Sequence, residues 1–338
     1  MPLDLPPDEV RAFATGQAPA PLLDLVGAMA THAVAAGLRT GVFDALAEGP
    51  CTPADLAARL GAGTEGLARL LDLLRATGYV ELHDGRYANS PTATAWLCSA
   101  SPSSYGQVLL VWQSILGDLW ADLPTAVQTG RPRGDFYLWL AERPELSARF
   151  QDLQRGLAGW LAEEVVALAP PPDGEVRLLD LGGGHGTYSA AFCRTHPQLS
   201  ATVVDLPGAL GDGDHERIRW VAADLTRDPI EGKHDMVLLC NVLHGFPAAQ
   251  AAEIVAKAAD ATRPGGQVLV LETIAEHRAG VAEGAFTAGF GLNLWHTQGG
   301  GVPSTRTVDG WLADAGLGQI KRHDLSRSAT HSLFVGTR

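Results

Sequence analysis

A glycine-rich stretch, Arg177-Leu-Leu-Asp-Leu-Gly-Gly-Gly-His-Gly-Thr-Tyr188, constrains the fold of this chain more than any other feature. A short apolar run carries Asp180 near its end, and Gly182, Gly184 and Gly186 follow before a run compatible with a helix. Glycine adopts backbone angles that other residues avoid, and it lets the main chain lie against a ligand because it has no Cβ. The order of strand, glycine turn and helix is typical of the unit that opens a nucleotide-binding α/β domain.

Strands and helices alternate through the C-terminal half of the chain. A long helix is predicted over 247–262 and a short one over 307–315, with a loop-rich stretch before the short helix. The pattern predicts an open, doubly wound and mostly parallel sheet of seven strands, at 176–181, 201–206, 218–222, 235–240, 267–274, 319–325 and 331–336.

The N-terminal part has the pattern of a winged helix, because helical segments at 21–46, 52–60 and 65–77 precede a hairpin at 79–87. Residues 1–18, which contain three prolines, are expected to form a loose arm. A winged helix either binds DNA or serves as a structural or dimer-forming module. The formal net charge of −13 disfavours DNA, since an acidic protein repels the phosphate backbone.

Length and composition indicate a globular protein of more than one domain. The chain has 338 residues, 46% of them hydrophobic, and we divide it at residues 1–104, 105–170 and 171–338. Its four cysteines show neither metal-ligand spacing nor a disulfide pattern, so we expect a reducing cytoplasm and no metal. We find no secretory signal and no apolar run long enough to span a membrane, and we predict no membrane partner.

Polar residues recur where successive predicted strands end. These are Asp180, Asp205, Asp224, the segment 241–244 and Glu272. Ligands of doubly wound sheets bind beyond these carboxyl ends. An acid at the end of the second strand can accept from both hydroxyls of a ribose through its two oxygens. The alternative is that Asp205 and Asp224 only cap the loops that follow them.

The chain resembles the class I S-adenosylmethionine-dependent methyltransferases, and more narrowly the small-molecule O-methyltransferases with an N-terminal winged-helix dimerisation domain. The resemblance covers almost the whole chain. It implies a Rossmann-like catalytic domain over 171–338, a dimerisation domain over 1–104, and connecting helices over 105–170 that form part of the substrate pocket. It also implies a homodimer and a small-molecule substrate. The segments that carry it are Asp180–Gly186, Asp205–Pro207, Ala223–Leu225, Val242–His244, Arg263–Gly266, Arg306-Thr307, and Leu119–Pro124 with Thr129-Gly130.

The resemblance implies S-adenosylmethionine as cofactor, with S-adenosylhomocysteine as its product. It also implies that His244 is the general base and that Glu272 orients it. A partly buried structural histidine and a strand-end salt bridge are the alternatives for these two residues. The residues expected to bind the cofactor are Asp180, Gly182, Gly184, Gly186, Asp205, Leu206, Asp224, Leu225 and Asn241.

Contacts to the substrate are expected from two regions, the connecting helices and the stretch after the fifth strand. The expected residues are Trp112, Phe136, Phe290, Asn293, Leu294, Trp295 and His296, and Phe286 lies in the same stretch. Aromatic residues of the connecting helices also suit plain core packing. Asn293 and His296 are polar groups in an apolar segment, and they either bind a substrate oxygen or satisfy loop backbone.

Two positions depart from the family pattern. Gly245-Phe246 follows the predicted base where the family usually has Asp-Trp, and Thr305 takes the place of an acid next to Arg306-Thr307. Gly245 implies extra room beside His244. We therefore keep three alternatives to O-methylation of a small aromatic or polyketide-like compound. They are N- or C-methylation, a non-methylating reaction such as cyclisation, decarboxylation or hydroxylation on the same fold, and a DNA-binding regulator.

Overall fold

The computed structural model describes residues 3–211, 215–276 and 280–338, and it contains two compact units, Met1–Ala121 and Asp122–Arg338. The finer division of the chain at residues 104 and 170 stays a prediction.

The first unit is mainly helical and contains an antiparallel hairpin, in which Val80–His83 pairs with Arg86–Asn89. Thr52 caps the fourth helix, since its hydroxyl accepts a hydrogen bond from the Asp55 backbone N–H at 3.2 Å. The elements are α1 (Pro7–Ala14), α2 (Pro21–Thr40), α3 (Val42–Ala47), α4 (Pro53–Leu60), α5 (Thr64–Ala76), β1 (Val80–His83), β2 (Arg86–Asn89), α6 (Pro91–Trp96) and α7 (Gly106–Asp118).

The prediction of a loose arm over residues 1–18 was wrong, because α1 occupies Pro7–Ala14. Pro7 is the first residue of this helix, where its missing N–H costs nothing. Asp8 and Glu9 stand in the first turn, where negative charge is favourable. The prolines therefore mark the start of a helix rather than an irregular segment.

Helix α2 is the longest of the first unit and is only partly covered by it. Ala30, Val34 and Ala35 are buried, whereas Leu25 and Met29 are exposed. By length and hydropathy alone, α2 could cross a membrane, and core helices of soluble proteins pass the same test.

The second unit is an α/β structure. A 3-10 turn at Trp120–Asp122 joins it to the first unit, and the second unit contains a further 3-10 turn at Leu243–Gly245. Its elements are α8 (Leu123–Thr129), α9 (Phe136–Ala141), α10 (Pro144–Leu168), β3 (Val176–Leu181), α11 (Thr187–Thr195), β4 (Leu199–Asp205), β5 (Ile218–Ala222), β6 (His234–Cys240), α12 (Ala248–Ala261), β7 (Thr262–Thr273), α13 (Val281–Gln298), α14 (Thr305–Asp314), β8 (Gly318–Asp324) and β9 (His331–Thr337).

These strands form one seven-stranded sheet in the order β5-β4-β3-β6-β7-β9-β8. Strands β3 to β7 pair in parallel, and β9 is antiparallel to both β7 and β8. Alternate residues serve opposite faces: Leu178 packs in a core with α10 and α11, and its neighbour Leu179 packs in a core with α12 and α14. The predicted α/β class and seven-stranded, mostly parallel sheet are confirmed. The strand order reverses between β3 and β6, which places the ligand crevice at their carboxyl ends.

The loop-rich stretch predicted after the fifth strand was wrong over Val281–Gln298, where the structure has the 18-residue helix α13. Gly284, Gly289 and Gly291 lie inside this helix and lower its intrinsic propensity. Packing of buried side chains such as Asn293 and Leu294 stabilises it instead. The glycine content of this segment therefore prevented prediction of the helix from the sequence.

Candidate active site

A cavity of about 400 Å³ lies at the switch point of the sheet, entirely within the second unit. The glycine turn 182–185 forms one wall and α10 forms another. Asp205 and Asp224, which follow β4 and β5, line it together with Gln298 at the end of α13. This is the position at which an open α/β sheet binds its ligand.

The glycine turn has the geometry that its sequence predicts. Gly182, Gly184 and Gly186 have φ angles of +70°, +47° and +66°. A Cβ on Gly182 would lie 2.6 Å from Cγ2 of Val242, so the turn also approaches the end of β6 too closely for a side chain. Glycine is therefore required here for both backbone angle and space.

Asp180 lies beneath the turn rather than in the cavity wall. It is 1% exposed, and the Ser189 hydroxyl donates to its Oδ2 at 2.7 Å. Burial raises its pKa to about 6, and its Oδ1 has no hydrogen-bond partner among the described residues. The arrangement shows Asp180 supporting the turn, and its contact with a cofactor stays a prediction.

Asp205 and Asp224 both line the cavity and both cap their loops. Asp205 accepts from the Gly184 N–H through Oδ2 at 2.8 Å and from the Leu206 N–H through Oδ1 at 2.7 Å. Asp224 Oδ1 accepts from the Thr226 hydroxyl at 2.6 Å and from its N–H at 2.9 Å. Loop capping and ligand binding by these acids are thus compatible, since a carboxylate that caps a loop keeps further lone pairs for a ligand.

Opposite environments shift the pKa of these two acids in opposite directions. Burial raises the pKa of Asp205, against the effect of its backbone hydrogen bonds. The hydrogen bonds from Thr226 lower the pKa of Asp224. Among the described residues that line the cavity there are two acids and neither lysine nor arginine, so the cavity suits a cation better than a phosphate.

Leu206, Leu225 and Asn241 also line the cavity. Asn241 follows β6 with a φ of +57°, and its Oδ1 lies 3.1 Å from Nε2 of His331. Leu225 is buried and Leu206 is exposed, so the cavity has apolar as well as polar walls.

His244 and Glu272 form a close pair at the ends of β6 and β7. His244 Nδ1 lies 2.5 Å from Glu272 Oε2. The other carboxylate oxygen, Oε1, accepts from the backbone N–H groups of Val242 at 2.9 Å and Leu243 at 2.7 Å. Glu272 is fully buried, whereas the His244 side chain is 13% exposed. The carboxylate therefore caps the 3-10 turn at Leu243–Gly245 and fixes the imidazole.

Phe290 of α13 faces the imidazole edge to face, with ring centroids 5.7 Å apart. Phe286, one helical turn earlier, is parallel to Phe290 within 10° at a centroid distance of 6.2 Å, and it is 51% exposed. His244, Phe290 and Phe286 thus form a continuous aromatic surface, which we call the aromatic ledge.

The end of α13 is joined closely to the turn that carries His244. The Gly301 N–H donates to the His244 carbonyl at 2.9 Å, and a Cβ on Gly300 would overlap that same oxygen. A Cβ on Gly245 would lie 2.8 Å from Oε1 of Gln298. The extra room expected beside His244 is therefore filled by the Gln298 side chain, from 53 residues further along the chain.

Thr305, at the position of a family acid, begins α14. Its hydroxyl accepts from Nη1 of Arg322 at 3.2 Å, and its N–H donates to the Glu276 carboxylate. The side chain at this position is thus engaged with a cation rather than supplying a negative charge.

The residues expected to contact substrate are dispersed. Phe136 lines the cavity with Tyr137, whereas Trp112 lies half-buried in α7 of the first unit. Asn293, Leu294 and His296 are buried within α13, and Trp295 is half-buried. His296 Nε2 lies 3.1 Å from Asp122 Oδ1, as in a structural ion pair. A role for any of these in binding substrate stays a prediction.

The cavity residues that were not foreseen from the sequence include Tyr137, His185 and Gln298. Tyr137 lines the cavity, and 55% of its surface is accessible. His185 stands within the glycine motif itself, which was a signal available in the sequence. Gln298 had no such signal, because it reaches the cavity only through the fold of α13.

Family models match both parts of the chain. An O-methyltransferase domain matches residues 120–317, and an O-methyltransferase dimerisation domain matches residues 24–99. The second match includes most of α2 and supports formation of a homodimer.

Individual proteins agree with these matches. The chain is 31% identical over 333 residues to the 3-hydroxy-5-methyl-1-naphthoate 3-O-methyltransferase of Streptomyces sahachiroi, which covers 95% of each chain. An O-methyltransferase family protein from Burkholderia thailandensis superposes with a TM-score of 0.76 at 26% identity, covering 94% of this chain and 98% of that one. The solved structure of PigF with SAH gives 0.81 at 25% identity, covering 99% and 100%.

The charge and shape of the cavity lining suit S-adenosylmethionine. Its described lining holds the carboxylates of Asp205 and Asp224 without a lysine or arginine, which suits the positive charge of a sulfonium. Gly182, Gly183 and Gly184 line the cavity without side chains, so their backbone forms this part of the wall. Together with the two domain matches, these features show that the chain belongs to the O-methyltransferase family and is an S-adenosylmethionine-dependent O-methyltransferase of the secondary-metabolite type.

Proposed function

We propose that this enzyme methylates a hydroxyl group of a small, fused-ring aromatic compound, with His244 as the general base and Glu272 as the residue that orients it. The observation that carries the proposal is the 2.5 Å contact between His244 Nδ1 and Glu272 Oε2. When bound, S-adenosylmethionine supplies an electrophilic methyl group on a sulfonium. The protein must then supply a deprotonated acceptor oxygen.

The hydrogen bonds around Glu272 determine which imidazole nitrogen is the base. Backbone N–H groups of Val242 and Leu243 occupy Oε1, so Oε2 remains to accept from His244. Nδ1 of His244 therefore carries the proton, and Nε2 keeps a lone pair. Nε2 takes the proton of the acceptor hydroxyl, because a phenolate is a much stronger nucleophile than a phenol.

The aromatic ledge supports an aromatic acceptor. Phe286 and Phe290 present parallel rings beside His244, and half of the Phe286 surface is exposed. A flat ring stacked there gains dispersion and quadrupole contacts while its hydroxyl lies near the imidazole. The naphthoate named for the S. sahachiroi relative has this shape, so a hydroxynaphthoate is our first probe for this chain.

His244→Ala tests the base directly. We expect loss of methylated hydroxynaphthoate, measured as product mass together with S-adenosylhomocysteine formed. Calorimetric binding of S-adenosylhomocysteine should be unchanged, since His244 does not border the cofactor cavity among its described lining. His83→Ala, at an exposed hairpin position of the first unit, is the matched control. Turnover of His244→Ala at the rate of that control would remove His244 from the mechanism.

The same assay separates the alternatives of reaction type. Methyl transfer to oxygen gives equal amounts of methyl ether and S-adenosylhomocysteine. A product formed without consumption of S-adenosylmethionine would instead indicate a non-methylating reaction. Methylation at nitrogen or carbon would leave the acceptor hydroxyl free in the product.

A further inference from the structure

His331 is a buried histidine at the start of β9, and hydrogen-bonding side chains surround both of its ring nitrogens. It is 6% exposed and pairs in the sheet with Thr273 at the end of β7. Its Nδ1 lies 2.8 Å from Ser328 Oγ and 3.1 Å from Thr330 Oγ1. Its Nε2 lies 3.1 Å from Asn241 Oδ1 and 3.3 Å from Thr273 Oγ1. The position of the proton on this ring therefore determines which of these groups donate and which accept.

The Ser328 hydroxyl indicates which nitrogen carries the proton. Ser328 Oγ accepts from the backbone N–H of Thr330 at 3.3 Å, so its own O–H is available to donate to Nδ1 of His331. A neutral imidazole has one acceptor and one donor nitrogen, so Nε2 carries the proton. Asn241 presents its amide oxygen to Nε2, and that oxygen can only accept, in agreement with this tautomer.

Asn241 brings this hydrogen bond to the cofactor cavity, which it lines. Its φ of +57° lies in the left-handed region, which asparagine tolerates better than most residues, and its backbone N–H donates to the Leu271 carbonyl at 2.8 Å. Because Oδ1 is directed at His331, the amide nitrogen is the polar atom of the side chain that remains. Among the described residues, Nδ2 has no hydrogen-bond partner.

The charge of the cavity lining gives this NH₂ group a use. S-adenosylmethionine carries a carboxylate and ribose hydroxyls in addition to its sulfonium, and these oxygens need donors. The described lining contains neither lysine nor arginine, so neutral groups must supply those donors. An Asn241 amide turned the other way would present an acceptor to the cavity instead of two N–H donors.

We propose that His331 is a positioning residue that fixes the Asn241 amide with its NH₂ group toward the cofactor cavity, where this group binds an oxygen of S-adenosylmethionine. The Nε2–H of His331 holds the amide oxygen, and the Ser328 hydroxyl holds the tautomer of the ring. A histidine 90 residues further along the chain, outside the described lining of the cavity, thus sets the hydrogen-bonding character of its wall.

Two substitutions separate the donor from the volume of the ring. Glutamine at position 331 keeps an amide donor near the position of Nε2, whereas leucine fills the space without a donor. We expect His331→Gln to bind S-adenosylhomocysteine within about twofold of the wild type by titration calorimetry. His331→Leu should bind about 3- to 10-fold more weakly, which corresponds to one lost hydrogen bond. His323→Leu, on the neighbouring strand β8 and outside the described cavity lining, is the matched control and should keep the wild-type affinity.

A double-mutant cycle shows whether His331 acts through Asn241. Asn241→Gly removes the amide, and glycine accepts the φ of +57° without strain. This variant should lose about as much affinity as His331→Leu, and the double variant should be weaker than Asn241→Gly by no more than about twofold. Losses that multiply in the double variant would overturn the proposal. So would wild-type affinity in Asn241→Gly or His331→Leu, or equal weakening in His331→Gln and His331→Leu.

A further measurement does not depend on the folding of a leucine variant. Nitrogen-15 NMR of the histidine-labelled wild-type protein should show His331 with a protonated Nε2 and an unprotonated Nδ1, the signals being assigned by their absence in His331→Gln. The opposite tautomer would overturn the proposal. Because these tests read cofactor affinity and tautomer, their failure leaves the assignment of His244 as base untouched.

Discussion

Replacing Glu272 by glutamine keeps the shape of the side chain but changes its hydrogen-bonding. Val242 and Leu243 direct backbone N–H groups at Oε1, so the amide oxygen of glutamine must take that place. The amide NH₂ then faces Nδ1 of His244, which must become an acceptor. The proton moves to Nε2, and the imidazole loses the lone pair that the mechanism needs.

The magnitude follows from the loss of base catalysis. General bases contribute about 100- to 10,000-fold to the rate, so kcat of Glu272→Gln should fall by a factor in this range. The opposite orientation of the amide is also unfavourable, because its NH₂ would then face the two backbone N–H donors. Removing charged hydrogen bonds from a fully buried site should also lower the free energy of unfolding by about 1–3 kcal/mol.

The assay is the initial rate of methylation of a hydroxynaphthoate, with calorimetric affinity for S-adenosylhomocysteine as the check on folding. Glu276→Gln is the matched control, since Glu276 also accepts from backbone N–H but is exposed. We expect the control to keep its rate within about threefold, as surface changes usually do. A Glu272→Gln enzyme as fast as this control would refute the tautomer argument.

Two further predictions concern the cofactor cavity and the turn beneath it. Asp205→Ala removes a carboxylate that lines the cavity and holds the Gly184 N–H, so calorimetry should show S-adenosylhomocysteine binding weakened about 10- to 100-fold; unchanged affinity would contradict the ribose assignment. Asp180→Asn should flatten the pH dependence of stability. The folded-state pKa of Asp180 is raised from 3.8 to about 6, so between these pH values the folded protein keeps a proton that the unfolded chain has lost. The free energy of unfolding of the wild type should therefore fall by up to about 3 kcal/mol as the pH rises from about 4 to about 6. Denaturant unfolding across that range should show this loss in the wild type only, and parallel curves for both proteins would refute it.

The sequence pattern was sufficient to predict the sheet, because the signals for strands and turns lie within short segments of the chain. Leu178 and Leu179 lie on opposite faces, as alternation along a buried strand requires. Positive φ at Gly182 follows from the glycine motif itself. The residues His244 and Glu272 were identified by resemblance to a family, and the structure brings them together as that resemblance implied.

Contacts between distant segments could not be predicted from the sequence. Gly245 indicated empty space, but Gln298 fills it, and only the path of α13 brings the two together. The glycines of α13 favoured the prediction of a loop in that segment. His296, which is predicted to contact substrate or loop backbone, lies buried against Asp122, 174 residues away in the chain, and the sequence did not indicate this partner. Partners of this kind depend on tertiary packing, which overrides local propensity.

The most direct test of the account compares two acceptors in wild-type enzyme and His244→Ala. One acceptor is a hydroxynaphthoate whose hydroxyl is protonated at the assay pH, and the other is a nitro-substituted analogue that is already ionised. If His244 removes the acceptor proton, the variant should lose about 100-fold or more with the protonated acceptor and less than about 10-fold with the ionised one. Equal losses with both acceptors would show that His244 does something other than take that proton.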